Sequence, residues 1–296
     1  MTAIGFLGLG AIGWPMAARL AGRGDLVVWN RTAERAADFA RRHGARAAVT
    51  PRELAARVEV AVTCLPTSAD VAALLDGPDG MLAGFRSGAL LLDCTSGDPA
   101  TSRHIARRLA GQGIAFADAP VSGGTNGAEA GTLTVMVGAD PETFARARPV
   151  LAAFGARIEH VGPTGAAHAV KAVNQAFLAL HILAVGEGLA ALTKAGVAPR
   201  VALEVINGSS GRSFVSESLV PDRVLTGRWP RTFRLALLAK DVGIARQLLR
   251  DAEVEGPLID LAGELLDRAK AALDDGADYL EAIRLIERQA GVEIRG

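Results

Sequence analysis

Residues 4–13 read IGFLGLGAIG and place Gly8, Gly10 and Gly13 directly after a short apolar run. Helical periodicity begins after the third glycine, so the stretch predicts a strand, a tight turn and a helix. In this setting the first glycine permits the turn, the second lets the backbone approach a pyrophosphate, and the third lets helix and strand pack closely. The stretch therefore predicts a dinucleotide site formed by Gly8, Leu9, Gly10, Ala11, Ile12 and Gly13.

Short β-rich apolar runs alternate with helical segments up to about residue 160, a pattern typical of a parallel sheet flanked by helices. After the Gly162-Pro163-Thr164-Gly165 turn, the pattern is helical only. We expect an α/β fold with a Rossmann-type doubly wound parallel sheet in a dinucleotide-binding domain (1–162). An all-α domain for substrate binding and oligomerisation (163–296) follows, joined by a long interdomain helix. The expected strands are 4–9, 26–29, 60–65, 89–93, 114–118, 133–137 and 157–160, and the expected helices of the second domain are 167–195, 201–206, 235–249, 258–273 and 279–288.

The balance of charge argues against nucleic acid as a partner, because 32 basic residues face 32 acidic ones. The N-terminus has no signal-peptide pattern, and we expect no apolar run of membrane-spanning length and a cytoplasmic location. Cys64 and Cys94 each end an apolar run and predict small buried side chains in a reducing compartment, with no metal site. The very apolar second domain suggests a homodimer or homotetramer.

The second predicted strand ends at Asn30, Arg31 and Thr32, where folds that select NAD usually carry an acidic residue. No carboxylate is present to repel a 2′-phosphate, and Arg31 offers a planar cationic group. NADP is therefore the favoured cofactor, and NAD stays an alternative. A simpler interpretation is that Thr32 caps the next helix while Arg31 is a solvated surface residue.

The long predicted helix carries four polar side chains in an apolar stretch: Lys171, Asn174, Gln175 and His181. They fall on one arc at about 100° per residue, so we expect them to face a ligand or a polar network from a helix buried on nearly every face. Lysine can lose its proton where arginine cannot, and burial lowers a lysine pKa. Lys171 is thus a candidate acid/base, although a lysine at an interdomain seam would fit the same pattern.

Asp118 to Gly124 reads DAPVSGG after a predicted strand. Ser122, Gly123 and Gly124 would expose consecutive backbone N–H groups beside a hydroxyl, an arrangement suited to a carboxylate. An anionic substrate is the functional interpretation, and a glycine turn between domains is the structural one.

Six ordered motifs spread over almost the whole chain resemble those of the β-hydroxyacid dehydrogenase family. They are GFLGLGAIGWPMA at 5–17, CLP at 64–66, DCTSGDP at 93–99, DAPVSGGTNGAEAGTLTVMVG at 118–138, GPTGAAHAVKAVNQ at 162–175 and FRLALLAKD at 233–241.

The resemblance implies that Lys171 is the acid/base and that Asn174 positions the substrate. It also implies that Ser122, Gly123 and Gly124 bind the substrate carboxylate. Further substrate-side residues would be Thr95, Gln175 and Phe233. The residues that would line the cofactor are Cys64, Leu65, Pro66, Thr95, Ser96 and Lys240.

Three positions depart from the family pattern. Thr95-Ser96 reverses the more common Ser-Thr order, and Gln175 stands where some members have a second asparagine. His168 replaces what is more often an uncharged amide. We expect a packed or solvated histidine, and the alternative is that His168 tunes the pKa of Lys171.

The activity that the resemblance implies is NAD(P)-dependent oxidation of a short 3-hydroxy acid, with 3-hydroxyisobutyrate as the leading substrate. One alternative is an NADPH-dependent reductase of glyoxylate, succinic semialdehyde or tartronate semialdehyde. A second alternative is a non-catalytic NADP-binding module. Related imine reductases usually lack a lysine at the position of Lys171, which argues against that class.

Overall fold

A computed structural model describes residues 3–296. The chain divides into two compact units, the first ending at Lys171 and the second running from Ala172 to Gly296. One helix, Ala166–Lys194, contains the point of division.

The first unit is built on a nine-stranded sheet. Its strands, numbered β1 to β9, are Ile4–Leu7, Leu26–Trp29, Arg46–Ala47, Val60–Thr63, Leu90–Asp93, Ala115–Asp118, Val121–Ser122, Leu133–Gly138 and Gly155–Gly162. They lie in the order β3-β2-β1-β4-β5-β6-β8-β7, with β9 paired to β8. All pairs from β3 to β6 are parallel, β8 runs antiparallel to β6 and β7, and β9 runs parallel to β8. The doubly wound fold expected from the sequence is therefore confirmed.

The four central strands end level with one another. Leu7 pairs with Thr63, Thr63 with Asp93, and Asp93 with Asp118. The chain order reverses between β1 and β4, and ligands of such sheets bind outside the carboxyl ends of the strands at this switch point. The loops that follow these four strands carry most of the residues predicted to bind cofactor.

Helices cover the sheet, and several begin with a capping side chain. The side chains of Thr50, Asp98 and Asp140 accept hydrogen bonds from backbone N–H groups three residues later, each before a first-turn proline. Such a cap contributes about 1 kcal/mol. The helices of the first unit are α1 Gly13–Leu20, α2 Ala33–His43, α3 Pro51–Arg57, α4 Ser68–Leu75, α5 Pro99–Ala110, α6 Gly124–Ala130 and α7 Pro141–Leu151, and a short 3-10 turn spans Met81–Ala83.

The second unit is helical, apart from one isolated bridge between Arg234 and Asp278. Its core is formed by apolar residues of several helices, among them Ile182, Leu238 and Leu266. The helices are α8 Ala166–Lys194, α9 Pro199–Asn207, α10 Leu235–Asp251, α11 Pro257–Ala272 and α12 Ala282–Ala290, with a π-helix at Val215–Val224 and a 3-10 turn at Tyr279–Glu281.

Two very short strands and the π-helix are absent from the sequence prediction. β3 and β7 have two residues each, too few to show a period of two. The π-helix contains Pro221, which has no N–H to donate to the usual carbonyl, and the wider turn accommodates it.

Helix α8 overturns two expectations. By length and composition it could cross a membrane, with a mean hydropathy of 1.7, so the prediction that no such run exists is wrong. It is also not buried on nearly every face, because Val170 and Phe177 are 43% and 53% exposed. Alanine is so common in α8 that an apolar composition does not require burial. The core helices of other proteins reach the same length and hydropathy. In α8, Ile182 and Leu189 lie in the core of the second unit.

Candidate functional site

The glycine-rich turn has the geometry that its sequence predicts. Gly8 has φ +101°, which favours glycine, and a Cβ there would overlap the backbone oxygen of Cys64. A Cβ on Gly13 would overlap the backbone oxygen of Gly8, so these two glycines serve the packing of β1, β4 and α1. A Cβ on Gly10 would meet nothing within 4 Å. The protein therefore leaves the space above Gly10 open, as a site for a pyrophosphate requires.

The end of β2 is tied to this turn through Asn30. Its Oδ1 accepts from the Leu9 N–H at 3.0 Å, and its Nδ2 donates to the Thr32 oxygen at 3.1 Å. Arg31 and Thr32 are exposed beside it. Thr32 is the N-cap residue of α2, but its side chain makes no capping hydrogen bond. Capping by the Thr32 hydroxyl, one simpler interpretation of this segment, is thus wrong.

Arg35 is a residue at this turn that the sequence analysis missed. Its Nε donates to the backbone oxygen of Leu9, and its guanidinium carbon lies 5.2 Å from the centre of the Trp14 ring. The signal available in the sequence was its position one helical turn after Arg31. Arg31 and Arg35 together add two positive charges at the open side of the turn.

The loop after β5 is anchored by two buried groups. Asp93 accepts from Thr63 Oγ1 at 2.8 Å and from the Thr95 N–H at 3.1 Å, and Thr95 Oγ1 accepts from the Leu65 N–H at 3.1 Å. Asp93 and Thr95 are each 1% exposed. Burial raises the pKa of Asp93, while His168 and the hydrogen bonds from Thr95 and Thr63 act in the opposite direction. The Thr95 hydroxyl thus joins the loops after β4 and β5.

The neighbouring loop residues differ in exposure. Cys64, Leu65 and Ser96 are half-buried and Pro66 is exposed. Burial raises the pKa of the Cys64 thiol to about 12, with a further contribution from the charge of Asp93. Burial likewise raises the pKa of the Cys94 thiol. Both cysteines are free thiols, as the sequence analysis expects, and neither is prepared for ionisation at neutral pH.

Asp118, at the end of β6, holds the start of α8. Its two carboxylate oxygens accept from the backbone N–H groups of Gly165 at 2.7 Å and His168 at 2.9 Å. A Cβ on Gly138 would lie 2.5 Å from the carboxylate of Asp118, so the adjacent strand leaves room for it. A carboxylate at the N-terminus of a helix is favoured by the helix dipole. This contact fixes the helix that carries Lys171 to the sheet.

The turn predicted to hold a carboxylate follows β7. Ser122 pairs with Thr134 across β7 and β8 and is half-buried, whereas Gly123 and Gly124 are exposed. Gly123 has φ +133° and Gly124 φ +64°, and a Cβ on Gly124 would meet nothing within 4 Å. The turn therefore presents its backbone to an open space, which permits contact with a small anion.

Lys171 is 7% exposed although it lies in an apolar stretch of α8. His168, one turn earlier, is fully buried, and its imidazole contacts Ser102 and the backbone oxygen of Thr95. The histidine is therefore packed and not solvated. Lys171 is the last residue of the first unit, and Asn174 and Gln175 open the second.

In the second unit, Gln175 belongs to a polar network that the sequence did not reveal. Its Nε2 donates to Asp241 Oδ2 at 3.1 Å, and its Oε1 accepts from Asn174 Nδ2 at 3.2 Å. Asp241 is 2% exposed, and Lys240 Nζ forms an ion pair with its Oδ1 at 2.9 Å that is not aligned as a hydrogen bond. Asn174 and His181 are exposed. Of the four residues on the predicted polar arc, Lys171 and Gln175 are therefore buried, whereas Asn174 and His181 are exposed.

Phe233 lies just before α10 and is half-buried. Its N–H donates to Asp278 Oδ2 at 3.0 Å, and its ring meets the Tyr279 ring edge-on at 5.6 Å between centres.

The signal that could have identified Asp241 was its place in the FRLALLAKD motif, next to Lys240. Within residues 3–296, no group of three or more His, Cys, Asp or Glu side chains is arranged to hold a metal ion.

A nicotinamide dinucleotide fits the first unit. The open space at Gly10, the exposed guanidinium of Arg31 and the location of the turn at the switch point match the needs of a pyrophosphate and an adenosine phosphate. Residues 8–13, 30–32 and 64–66 are the candidates to hold it. No acidic side chain replaces Asn30 or Arg31 at the end of β2.

Comparison with known proteins yields matches over nearly the whole chain. Residues 3–162 match the NAD-binding domain of 6-phosphogluconate dehydrogenase, and residues 165–286 match a model described as NAD-binding of NADP-dependent 3-hydroxyisobutyrate dehydrogenase.

Two relatives are each 36% identical to the chain. One is 2-(hydroxymethyl)glutarate dehydrogenase of Eubacterium barkeri, aligned over 99% of this chain and 97% of the relative. The other is 3-hydroxyisobutyrate dehydrogenase of Pseudomonas aeruginosa, aligned over 94% and 96%. Among solved structures, Mycobacterium tuberculosis 3-hydroxyisobutyrate dehydrogenase with L-serine superimposes with a TM-score of 0.88 at 32% identity, covering 97% of this chain and 99% of that one.

Proposed function

As the chain belongs to the β-hydroxyacid dehydrogenase family of NAD(P)-dependent oxidoreductases, we propose that it oxidises a short 3-hydroxy acid to its semialdehyde, with 3-hydroxyisobutyrate as the leading substrate. The expected action on the hydroxyl group of a small hydroxy acid is confirmed by the family. The identity of that acid is the proposal.

The compounds named with the relatives share one chemical core. 3-Hydroxyisobutyrate, L-serine and 2-(hydroxymethyl)glutarate each have a hydroxymethyl group on the carbon that carries the carboxylate. They differ only in the third substituent, which is a methyl, an ammonium or a carboxyethyl group. We therefore define the proposed substrate class as 3-hydroxypropanoates substituted at carbon 2.

The carboxylate of such a substrate needs hydrogen-bond donors, and the turn at Ser122, Gly123 and Gly124 supplies them in this proposal. Its two glycines have positive φ and its backbone faces open space. Backbone N–H groups and the Ser122 hydroxyl would fix one end of a short substrate, so that the hydroxymethyl group is held at a defined distance from the turn.

Burial of Lys171 is the observation that carries the proposal. A lysine at 7% exposure on an otherwise apolar helix segment is retained where a neutral residue would cost less to bury. In the oxidation, neutral Lys171 would accept the hydroxyl proton as the alcohol becomes an aldehyde. Asn174 lies about 4.5 Å further along the same helix and would hold the substrate oxygen.

When bound, NADP or NAD supplies the acceptor for the hydride that leaves the carbinol carbon. We propose NADP as the preferred form, because Arg31 is exposed at the end of β2 with no acidic neighbour in the Asn30-Arg31-Thr32 segment. Lys240 is the proposed cofactor contact of the second unit, and Gln175 and Phe233 are its proposed substrate contacts.

The experiment is a steady-state assay that follows the near-ultraviolet absorbance of the reduced nicotinamide. The three named hydroxy acids would be tested with each cofactor, and glyoxylate, succinic semialdehyde and tartronate semialdehyde in the direction of reduction. Lys171→Ala should lower kcat by about 10²- to 10⁴-fold. Lys194→Ala, at the exposed end of the same helix, is the matched control.

Each alternative function has its own outcome in this assay. Preferential reduction of the aldehydes would establish a reductase in place of the proposed oxidation. Cofactor binding without turnover of any compound would establish a non-catalytic module. Near-normal turnover by Lys171→Ala would refute the role of Lys171.

Self-association is a further part of the proposal. Phe177, Val201, Val205 and Phe214 of the second unit are 53–64% exposed, and apolar side chains of this size favour contact with another copy. A homodimer or homotetramer is the expected state, and light scattering on the eluted protein would give its mass. A monomer across the assay concentrations would exclude both.

A further inference from the structure

The imidazole of His168 is fully buried and bonded at both nitrogens. Nδ1 lies 2.6 Å from Ser102 Oγ in α5, and Nε2 lies 2.8 Å from the backbone oxygen of Thr95 in the loop after β5. A Cβ on Gly97 would lie 2.8 Å from the ring, so the loop closes directly over it. With no exposed surface and no unoccupied nitrogen, this ring has no means of contacting a substrate itself.

The partners dictate which nitrogen carries the proton. A carbonyl oxygen only accepts, so Nε2 must carry hydrogen and donate to Thr95. In the neutral ring Nδ1 then accepts from the Ser102 hydroxyl. Ser102 Oγ also lies 3.0 Å from the backbone oxygen of Asp98, but its single proton serves one of these acceptors at a time. The neutral ring is therefore a single tautomer in a fully bonded site.

His168 thereby joins α8, which carries Lys171, to the loop after β5, and the proposed reaction requires both. It lies one turn before Lys171 on α8, and its backbone N–H is held by Asp118. Its ring holds the backbone of the loop that carries Thr95 and Ser96, the side proposed to face the cofactor. His168 thus connects the turn of α8 before Lys171 directly to that loop.

We propose that His168 is a positioning residue, which fixes Lys171 relative to the Thr95 loop through the hydrogen bond from Nε2 to the Thr95 carbonyl. This inference rests on the proposed role of Lys171. We assign the larger effect to the bond with Thr95, because it reaches the loop that carries Thr95 and Ser96. The bond with Ser102 reaches only α5.

Two conservative variants separate the two bonds. A glutamine amide reaches the position of Nε2 and can donate to Thr95, whereas the shorter asparagine amide reaches only the position of Nδ1. His168→Gln should keep kcat within about threefold of the wild type, and His168→Asn should lower it about tenfold to a hundredfold, the range expected when a reacting group is displaced by about 1 Å.

The measurements must distinguish positioning from loss of the fold. The Kd of NADP without substrate, followed by fluorescence titration, should change by a smaller factor than kcat in His168→Asn, because the glycine turn and Arg31, the other proposed cofactor contacts, lie outside the Thr95 loop. His104→Asn, on the exposed face of α5, is the matched control. Melting temperatures would report the fold of each variant.

A spectroscopic measurement on the wild-type protein tests the geometry independently of activity. Nitrogen NMR of the histidine side chains, assigned by the signal missing in His168→Gln, should show His168 as the Nε2–H tautomer when neutral. This result does not depend on the asparagine variant being folded. It also does not depend on which substrate the enzyme uses.

The proposal is overturned if glutamine and asparagine reduce kcat equally, if kcat and cofactor affinity fall in proportion, or if the Nδ1–H tautomer is found. Lys171→Ala, assayed alongside, separates this failure from failure of the proposed function. Loss of turnover in Lys171→Ala with normal turnover in His168→Asn would refute only the role of His168. Normal turnover in Lys171→Ala would refute the acid/base assignment itself.

Discussion

Asn30 Oδ1 accepts a hydrogen bond from the backbone N–H of Leu9 at 3.0 Å, and this bond joins the end of β2 to the middle of the glycine-rich turn. The other half of the amide donates to Thr32. Both polar atoms of Asn30 are thus engaged within the protein. The Asn30 side chain thus ties the end of β2 to the turn, while Arg31 beside it is exposed.

Replacement of Asn30 should therefore affect both cofactors alike. Asn30→Ala removes the acceptor for the Leu9 N–H, and loss of such a bond costs about 1 kcal/mol, which raises Kd for NAD and NADP about fivefold each. Titration calorimetry with both cofactors measures the effect, with exposed Gln112→Ala as the control. Selective loss of NADP would show that Asn30 contacts the 2′-phosphate instead.

Arg31 should distinguish the two cofactors. Arg31→Asp replaces a cation by an anion where a 2′-phosphate is expected, and we predict a rise of Kd for NADP of at least about thirtyfold, with less than about threefold for NAD. The same calorimetry measures both constants. Arg41 is exposed on α2, the helix that follows Arg31, and Arg41→Asp controls for the general effect of charge. An equal change for both cofactors would refute the role of Arg31.

Asp241 should act on the reaction through Gln175. Asp241→Asn has nearly the same volume but can turn an NH₂ group towards Gln175 Nε2, so the amide pair with Asn174 loses its fixed orientation. We predict a fall in kcat/KM for the hydroxy acid of about tenfold. Asp267 is exposed on α11 and paired with Lys270, so Asp267→Asn should leave kcat/KM unchanged. Wild-type kinetics in Asp241→Asn would show that Gln175 needs no such support.

Buried Asp93 should make stability fall as pH rises. Because burial raises its pKa in the folded state above the ordinary value of 3.8, the folded protein binds this proton more tightly than the unfolded chain. The stabilisation is complete below pH 3.8 and is lost as pH rises through the folded-state pKa. Asp93→Asn keeps an oxygen for Thr63 and Thr95 and should gain stability relative to the wild type over that range.

Urea unfolding at several pH values above 3.8 would measure this difference. Asp140 provides a control of opposite sign, because hydrogen bonds from Thr143 lower its pKa. Asp140 contributes to the free energy of unfolding above pH 3.8, and this contribution is lost as pH falls through the lowered pKa. If the difference between Asp93→Asn and the wild type did not depend on pH, the charge of Asp93 would have no role in stability.

Cys64 should resist alkylation in the native protein. With a thiol pKa raised to about 12, the thiolate fraction at pH 8 is about a thousandfold below that of a thiol with the ordinary pKa of 9.0. Iodoacetamide labelling followed by mass spectrometry should therefore be slow until urea unfolds the chain. Labelling of Cys64 in the folded protein at the rate of a free thiol would contradict this prediction.

The sequence predicts the sheet because its central strands are buried on both faces and have continuous apolar runs, such as Leu90, Leu91 and Leu92 in β5. The glycine turn is equally predictable, since Gly8, Gly10 and Gly13 stand directly between an apolar run and a helical segment. Lys171 is conspicuous as a rare lysine in an apolar segment. These features depend on neighbours in the sequence.

Other features depend on contacts between distant segments. Asp241 lies 66 residues from Gln175, and Ser102 lies 66 residues from His168, so no local pattern connects them. The exposure of Phe177 is similarly unreadable, because α8 is rich in alanine, which is tolerated on buried and exposed faces alike. Helix α8 has the length and hydropathy of a membrane-spanning segment although polar side chains such as Lys171 and Gln175 interrupt its apolar sequence.

The three glycines of the turn are subject to two different constraints. Side chains at Gly8 or Gly13 would collide with the protein's own backbone, whereas a side chain at Gly10 would collide only with a ligand. A descendant of this chain that gave up its cofactor could therefore replace Gly10 freely while still needing Gly8 and Gly13 to fold. In such a lineage Gly10 would be replaced before Gly8 or Gly13, and the residue at position 10 would indicate whether a dinucleotide is still bound.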